Sequence, residues 1–566
     1  MENRKGNRPK LLQPELPALY YLHNFLSLCE TVQRQYLDIL DAEERAFLQR
    51  FHGLSQAAQC LYVRLLSRRG PQFRLSKLAY AEIGALPAVV RELERAGAVS
   101  VAAGLEVENL GRLFTVVELA KAYGDVLPRG RAAGKVSLLQ AIDELELTPE
   151  QHLRLLTREG EETFIAPTGV ELVELLQLLF FGNRHQGMTD FVLRDLGVAQ
   201  YYPYALDPKH RLFPCREALD EYLACCGAED DFYTYLELDD DEGMAQVAAL
   251  MLVTSIEFPV GLRRWQRAWN RVAKELERRR QFDLATALFE RSDRHPARER
   301  RARILAVQGD WSGVVALCES ILSSPWCEAE QEAAEKLLSR ARRKLGGPTQ
   351  RRQTDSFQQM KLTLKPGGEG VELAAANFLA GDWHSVYFVE NTLMNTLFGL
   401  AFWEQIFADI PGVFHHPYQG SPRDMYEGDF LANRQEAIAQ RLLELRHGNL
   451  REELMGAYRR YCGYQCHWVD WRQVDEAMVD IALQQIPPQH LFAIWERQLF
   501  DPAENRSGFP DLIAFGNPAE GCPGKYCMIE VKGPGDSLQS NQKRWLRFFA
   551  ENAIPAQVAW VEWAGA

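Results

Sequence analysis

Two short apolar runs near the end of this 566-residue chain carry charged groups where a buried strand should carry none. The first is Gly508-Phe509-Pro510-Asp511-Leu512-Ile513-Ala514-Phe515, and the second is Met528-Ile529-Glu530-Val531-Lys532-Gly533. The eighteen residues between Asp511 and Glu530 are rich in Gly, Pro and Asn, as expected for a hairpin loop. Alternation in the second strand puts Tyr526, Met528, Glu530 and Lys532 on one face and Cys527, Ile529 and Val531 on the other. Two carboxylates and an ammonium therefore converge on one side of a small sheet. The simpler account is Asp511 in a turn and a solvated Glu530–Lys532 pair. A divalent metal accounts for the arrangement better.

Magnesium and manganese take oxygen ligands and keep several waters, so one or two carboxylates and a substrate phosphate suffice. The backbone carbonyl of Val531 lies between the two charged side chains and is a further oxygen donor. Such an ion activates water and offsets charge developing on a phosphoryl oxygen. Lys532 is placed to orient that water or to stabilise the pentavalent phosphate. Just beyond, the run from Ser537 through Leu546 opens a helix, with Gln542 about one turn before Trp545 and Leu546. Upstream, Ser385 to Leu400 shows helical periodicity through Leu393, Leu397 and Leu400. That periodicity predicts Glu390 on the apolar stripe, where a carboxylate is costly unless paired or metal-bound. A first-turn glutamate favoured by the helix dipole is the alternative.

The spacing Asp511-x(18)-Glu530-x-Lys532 resembles the PD-(D/E)-x-K nuclease superfamily. Adding Glu390 upstream, the order is similar to the virus-type replication-repair nuclease module. Leu61-Tyr62-Val63-Arg64-Leu65-Leu66, Lys77-Leu78-Ala79-Tyr80-Ala81-Glu82-Ile83, Trp403-Glu404-Gln405-Ile406-Phe407 and Glu530-Val531-Lys532-Gly533-Pro534 narrow the resemblance to the Fanconi-associated nuclease family. The resemblance implies a metal-dependent, structure-selective DNA nuclease: a 5′-flap endonuclease and 5′ exonuclease acting in interstrand crosslink repair. It makes Glu390, Asp511 and Glu530 metal ligands, Val531 a carbonyl ligand and Lys532 the catalytic lysine. In many nucleases of the superfamily a helix such as the one holding Gln542 brings a polar side chain towards metal or phosphate. The implied cofactor is Mg²⁺ or Mn²⁺, as one or two ions, and the implied partner is DNA with 5′ flaps or branched junctions. A non-catalytic helical scaffold for repair partners is the competing function, and a junction resolvase is a related one. Animal members begin with a ubiquitin-binding zinc finger, and no Cys or His precedes Glu15 here, which points towards a bacterial member. A bacterial member is expected in the cytoplasm at the nucleoid, and a eukaryotic one in the nucleus.

The fold expected is multidomain and mainly α, ending in an α/β nuclease domain. Residues 1–66 read as amphipathic helices. Residues 67–240 begin with a winged-helix-like unit, Phe73 through Val101, followed by short helices around Val116–Lys121 and Ser137–Ile142. The loop between those helices, with Arg129, Arg131 and Lys135, looks like a SAP motif that sets basic side chains against DNA phosphates. In 241–370, Phe282 and Trp311 stand 29 residues apart, and Ala287-Leu288 matches Ala316-Leu317 at that offset. This resembles a tetratricopeptide-like array. Residues 371–566 form the nuclease module, with Arg351–Ser356 and Pro366–Gly370 as hinge material before it.

The net charge of −13 argues against nucleic acid only until its distribution is considered. From residue 371 onward there are 25 acidic and 15 basic side chains, while Arg263 to Arg303 holds 14 basic and 6 acidic. A platform of solvated or DNA-holding arginines is expected in that stretch. No apolar run reaches transmembrane length, and no signal-type segment follows Met1. Eleven scattered cysteines suit reduced thiols, and Cys462-x-x-x-Cys466-His467 reads as structural.

Overall fold

The computed structural model describes residues 19–68, 70–127, 134–157, 162–186, 200–348, 357–365, 368–516 and 526–564. The chain divides into two compact units, Met1–Gln200 with Leu206–Pro208, and Tyr201–Ala205 with Lys209–Ala566.

In the first unit, helices α1 (Tyr20–Tyr36), α2 (Ala42–His52) and α3 (Gln56–Leu66) bury Phe25, Phe51 and Tyr62 together. Asp41 caps α2 through a reciprocal box with Glu44, so the chain turns sharply into that helix. A three-stranded antiparallel sheet follows, in the order β1 (Phe73–Arg74), β3 (Phe164–Pro167), β2 (Val99–Val101). α4 (Leu86–Arg95) packs against β2. Helices α5 (Val107–Leu113), α6 (Val116–Tyr123) and α7 (Lys135–Asp143) share a core of Leu110, Leu119, Tyr123, Leu138 and Ile142.

The second unit opens with α8 (Arg216–Glu237) and α9 (Asp241–Val253), whose Phe232 and Met244 join one core with Trp265 and Trp269 of α10 (Pro259–Arg278). The helices on either side of residue 240 thus pack as one body. The array continues through α11 (Phe282–Glu290), α12 (Ala297–Gln308), α13 (Trp311–Ser323) and α14 (Glu328–Lys344). Phe282 and Trp311 each begin a helix, which explains the offset between them.

A five-stranded sheet closes the chain. Its strands are β4 (Gln359–Leu364), β5 (Ser385–Phe388), β6 (Leu512–Phe515), β7 (Tyr526–Lys532) and β8 (Ala556–Trp563), in the order β4-β8-β7-β6-β5. β6 is antiparallel to β5 and β7, and β8 is parallel to β7 and β4. One face buries Leu512, Ala514, Cys527, Ile529 and Val531 beneath α15 (Val371–Leu379). The sheet therefore starts before residue 371, because Gln359–Leu364 pairs with the last strand.

Two expectations change. Glu390 is not on the apolar stripe of a helix. Ser385–Phe388 is an edge strand, rich in β-branched and aromatic residues, and the helix, α16, runs Leu393–Ala401. Glu390 stands exposed in the turn between them. The arginines of 263–303 are not a free basic platform either. Arg264 and Arg271 pair with Glu229, Arg279 with Asp239 and Asp241, Arg298 with Glu330, and Arg300 with Glu277. Arg263 and Arg267, joined by Arg423, converge on the buried carboxylate of Glu427, and Arg294 donates to the Glu427 carbonyl. On α14, Glu328 and Glu332 likewise receive Arg497 and Arg547. Much of the basic stretch therefore ties array helices to each other and to the nuclease region.

Candidate active site

The chain enters the site through Gly508, whose φ of +91° suits glycine. A Cβ there would also lie 2.9 Å from the Asn541 backbone carbon. This close approach lets Phe509 stack on Trp545, with ring centroids 4.1 Å apart. Pro510 and Asp511 follow directly into β6. Asp511 is nearly buried, and its Oδ2 accepts the Val531 N–H at 2.8 Å. Leu512 is in register with Ile529, so the two strands present Asp511 and Glu530 on the same face, opposite the apolar core. Lys532, two residues along, shares that face, and its Nζ lies 2.7 Å from Glu530 Oε1. The alternation read from the sequence holds throughout β7.

Glu530 is fully buried, and beyond that ion contact neither carboxylate oxygen has a hydrogen-bond donor among the described residues. Burial pushes its carboxyl up to about 7; the charge of Asp511 adds to this, and Lys532 opposes it. Asp511 is pushed up to about 6, mainly by burial, against the Val531 N–H and the Lys532 charge. The charge of Glu390 raises both groups, so it acts at the rim of the pair. Sequence reasoning missed Glu372, whose charge also raises Asp511. Its signal was an acidic residue in the first turn of α15, directly after Val371, which lies beside Gly533.

Among the described residues, no three His, Cys, Asp or Glu side chains are gathered closely enough to hold a metal by themselves. The donor set is instead a pair of carboxylates with a strand carbonyl at Val531. Two buried carboxylates, with the Glu530 oxygens meeting no donor but Lys532, fit a hard divalent cation that also takes waters and phosphate oxygens.

The remaining sequence-derived residues fall as follows. Gln542 begins the helix Ser540–Glu551, but its Oε1 accepts the Gln539 N–H at 2.9 Å, so the side chain serves a capping box. Lys135 is the first residue of α7 and is half-buried. Arg129 and Arg131 lie outside the described residues, as do Arg351–Ser356 and the hairpin segment 517–525. His467 Nδ1 meets Tyr426 Oη at 2.8 Å and Ser421 Oγ at 2.9 Å, and burial raises the Cys466 thiol to about 12. That cluster is structural.

Residues 19–100 match the family model described as "FAN1, HTH domain", and residues 446–563 match the "VRR-NUC domain". A relative from Pseudomonas aeruginosa, described as a Fanconi-associated nuclease 1 homolog, is 36% identical over 98% of this chain and 97% of its own length. The chain belongs to the Fanconi-associated nuclease family. The Arabidopsis thaliana homolog is 25% identical over 95% of this chain and 66% of its own length, and Fanconi-associated nuclease 1 of mouse is 24% identical over 99% and 64%. The chain thus spans slightly less than two thirds of those two longer members. Among solved structures, paFAN1 bound to DNA with a 2-nucleotide 5′ flap and a gap superposes with a TM-score of 0.85 at 35% identity. That match covers 98% of this chain and 100% of the other. The complex with a 1-nucleotide flap gives 0.82 at 34% identity, over 97% and 100%.

Proposed function

We propose that the protein is a metal-dependent, structure-selective DNA nuclease that cuts 5′-flapped and branched DNA, trims 5′ ends, and serves interstrand crosslink repair. The observation that carries this reading is the buried Glu530 carboxylate, which meets no donor but Lys532 among the described residues and shares one sheet face with Asp511. The flap preference is supported by the likeness to paFAN1 on 1- and 2-nucleotide 5′-flap DNA.

In this reading Asp511, Glu530 and the Val531 carbonyl would hold a divalent cation, Mg²⁺ or Mn²⁺, with Glu390 as a further ligand. The cation, as one ion or two, supplies Lewis acidity towards the scissile phosphate and offsets its charge. Lys532 Nζ, next to Glu530, would face the phosphate, where it stabilises charge gathering on the non-bridging oxygens and orients the attacking water. Asp511 is fixed by the Val531 N–H, so its free oxygen keeps a set position as DNA arrives. Arg129, Arg131 and Lys135 are assigned to backbone phosphates of the duplex, which positions DNA without reading sequence. We assign the four regions 1–66, 67–240, 241–370 and 371–566 to helical support, duplex binding, array scaffold and cutting. Among the described residues no helix is long and apolar enough to cross a membrane. A DNA substrate implies the nucleoid if the protein is bacterial and the nucleus if it is eukaryotic.

The test is Asp511→Ala on a 5′-flap substrate. Cleavage should disappear while flap binding in Ca²⁺ stays within a few-fold of the native protein. Cleavage by that variant at the native rate would sink the assignment.

A further inference from the structure

Glu390 occupies an exposed turn, where a ligand carboxylate has no packing of its own to hold it. The backbone on either side of it is nevertheless bonded to the segment that carries Asp511. Val389 N–H donates to the Asp511 carbonyl at 2.8 Å, and the Asn391 side-chain oxygen accepts the Phe509 N–H at 3.1 Å. Asn391 itself has a φ of +53°, a left-handed conformation that Asn tolerates better than most side chains.

Behind this turn lies a buried polar relay. Asn395 Nδ2 donates to the Asn391 carbonyl at 2.6 Å and to the Arg506 carbonyl at 2.8 Å. Its Oδ1 accepts from Gln498 Nε2 at 2.8 Å. Gln498 is completely buried and Asn395 nearly so. Burying two amides is costly unless their bonds are made, and a leucine–methionine pair would fill the same space without that demand. What the amides add is direction. The Glu390 turn is thereby held in register with a segment about a hundred residues away, the helix Pro488–Phe500 and the Arg506–Asp511 approach that follows it.

We propose that Asn395, oriented by Gln498 and acting through Asn391, is a positioning residue that sets the Glu390 turn against Asp511 and so tunes the cation affinity of the site. The inference rests on the assignment of Glu390 as a ligand. Partners of this kind, one bond removed from the ligands, typically change metal affinity by about 10–100-fold.

The experiment titrates Mn²⁺ calorimetrically into the full-length DNA-free protein and its Asn395→Leu, Gln498→Met and Glu390→Gln variants, with flap cleavage measured over the same Mn²⁺ range. Asn395→Leu should bind Mn²⁺ about tenfold more weakly, cleave proportionately less at low Mn²⁺, and recover at saturation. Gln498→Met keeps both Asn395 donor bonds, should fold normally, and should show a smaller shift in the same direction. A general packing defect would lower the melting temperature without recovery by Mn²⁺, and that outcome overturns the proposal. Native Mn²⁺ affinity in both folded amide variants, with weakened affinity in Glu390→Gln, overturns the positioning role alone. Native affinity and cleavage in Glu390→Gln overturn the ligand assignment and the positioning role together.

Discussion

Asp511→Asn should make the metal-free protein more stable at alkaline pH. The carboxyl moves from its ordinary 3.8 to about 6 because burial disfavours the charged form. At a pH above both values, that displacement corresponds to at most about 3 kcal/mol against the folded state. Asparagine keeps the acceptor for the Val531 N–H and removes the charge that raises Glu530. Partial solvent screening and the new amide N–H facing the site reduce the net gain to about 1–2 kcal/mol. The sign follows from linkage. A raised carboxyl is fully compatible with folding when both states are protonated, below about pH 4, and its contribution is lost as pH rises through about 6. The gain from Asp511→Asn is therefore present near pH 8 and vanishes towards about pH 4. Thermal melts in chelator at the two pH values measure it, with an expected rise of a few degrees at the higher pH. Saturating Mn²⁺ should reverse the order, because only the native site gains from binding. If the variant melts at or below the native temperature near pH 8 in chelator, burial does not penalise this carboxylate and the reasoning is wrong.

Lys532→Met should lower the maximal cleavage rate by about 10²–10³-fold while leaving Mn²⁺ affinity largely intact, as single-turnover assays at saturating metal will report. Glu427→Gln should destabilise the second unit by about 3–5 kcal/mol, since it leaves the Arg263, Arg267 and Arg423 guanidinium groups around a neutral side chain; denaturant unfolding measures this. Lys135→Ala should weaken flap binding similarly for all sequences and lower the slope of log affinity against log salt by about 0.9.

The shared face of Asp511, Glu530 and Lys532 was legible because strand alternation is local: an Asp and a Glu-x-Lys inside apolar runs have only one face to occupy. Glu390 was singled out in the sequence as a candidate ligand, but its element was misread. Leu393, Leu397 and Leu400 carry a helical period that stops at Leu393, and the preceding Ser-Val-Tyr-Phe becomes a strand only through pairing with residues 512–515. No local window contains that partner. Gln542 was placed at the right helix start, yet the Gln539 backbone at its own terminus claimed the side chain that a distant site was expected to use. The arginines of 263–303 misled for a related reason. Their partners Glu229, Glu330 and Glu427 lie tens to hundreds of positions away, so a charge count reads as a free surface what folding neutralises.

The order of strands in the sheet also bears on when the protein acquires its activity. β8, at Ala556–Trp563, lies between β4 and β7, with six residues in register on one side and five on the other. Gln359–Leu364 has no other strand to pair with in that sheet, and β7, which bears Glu530 and Lys532, loses its neighbour on that side without β8. During synthesis, the Asp511–Glu530 hairpin leaves the ribosome before the strand that pairs with it. The sheet that carries Asp511 and Glu530 therefore gains its central pairing only once residues 556–563 are in place.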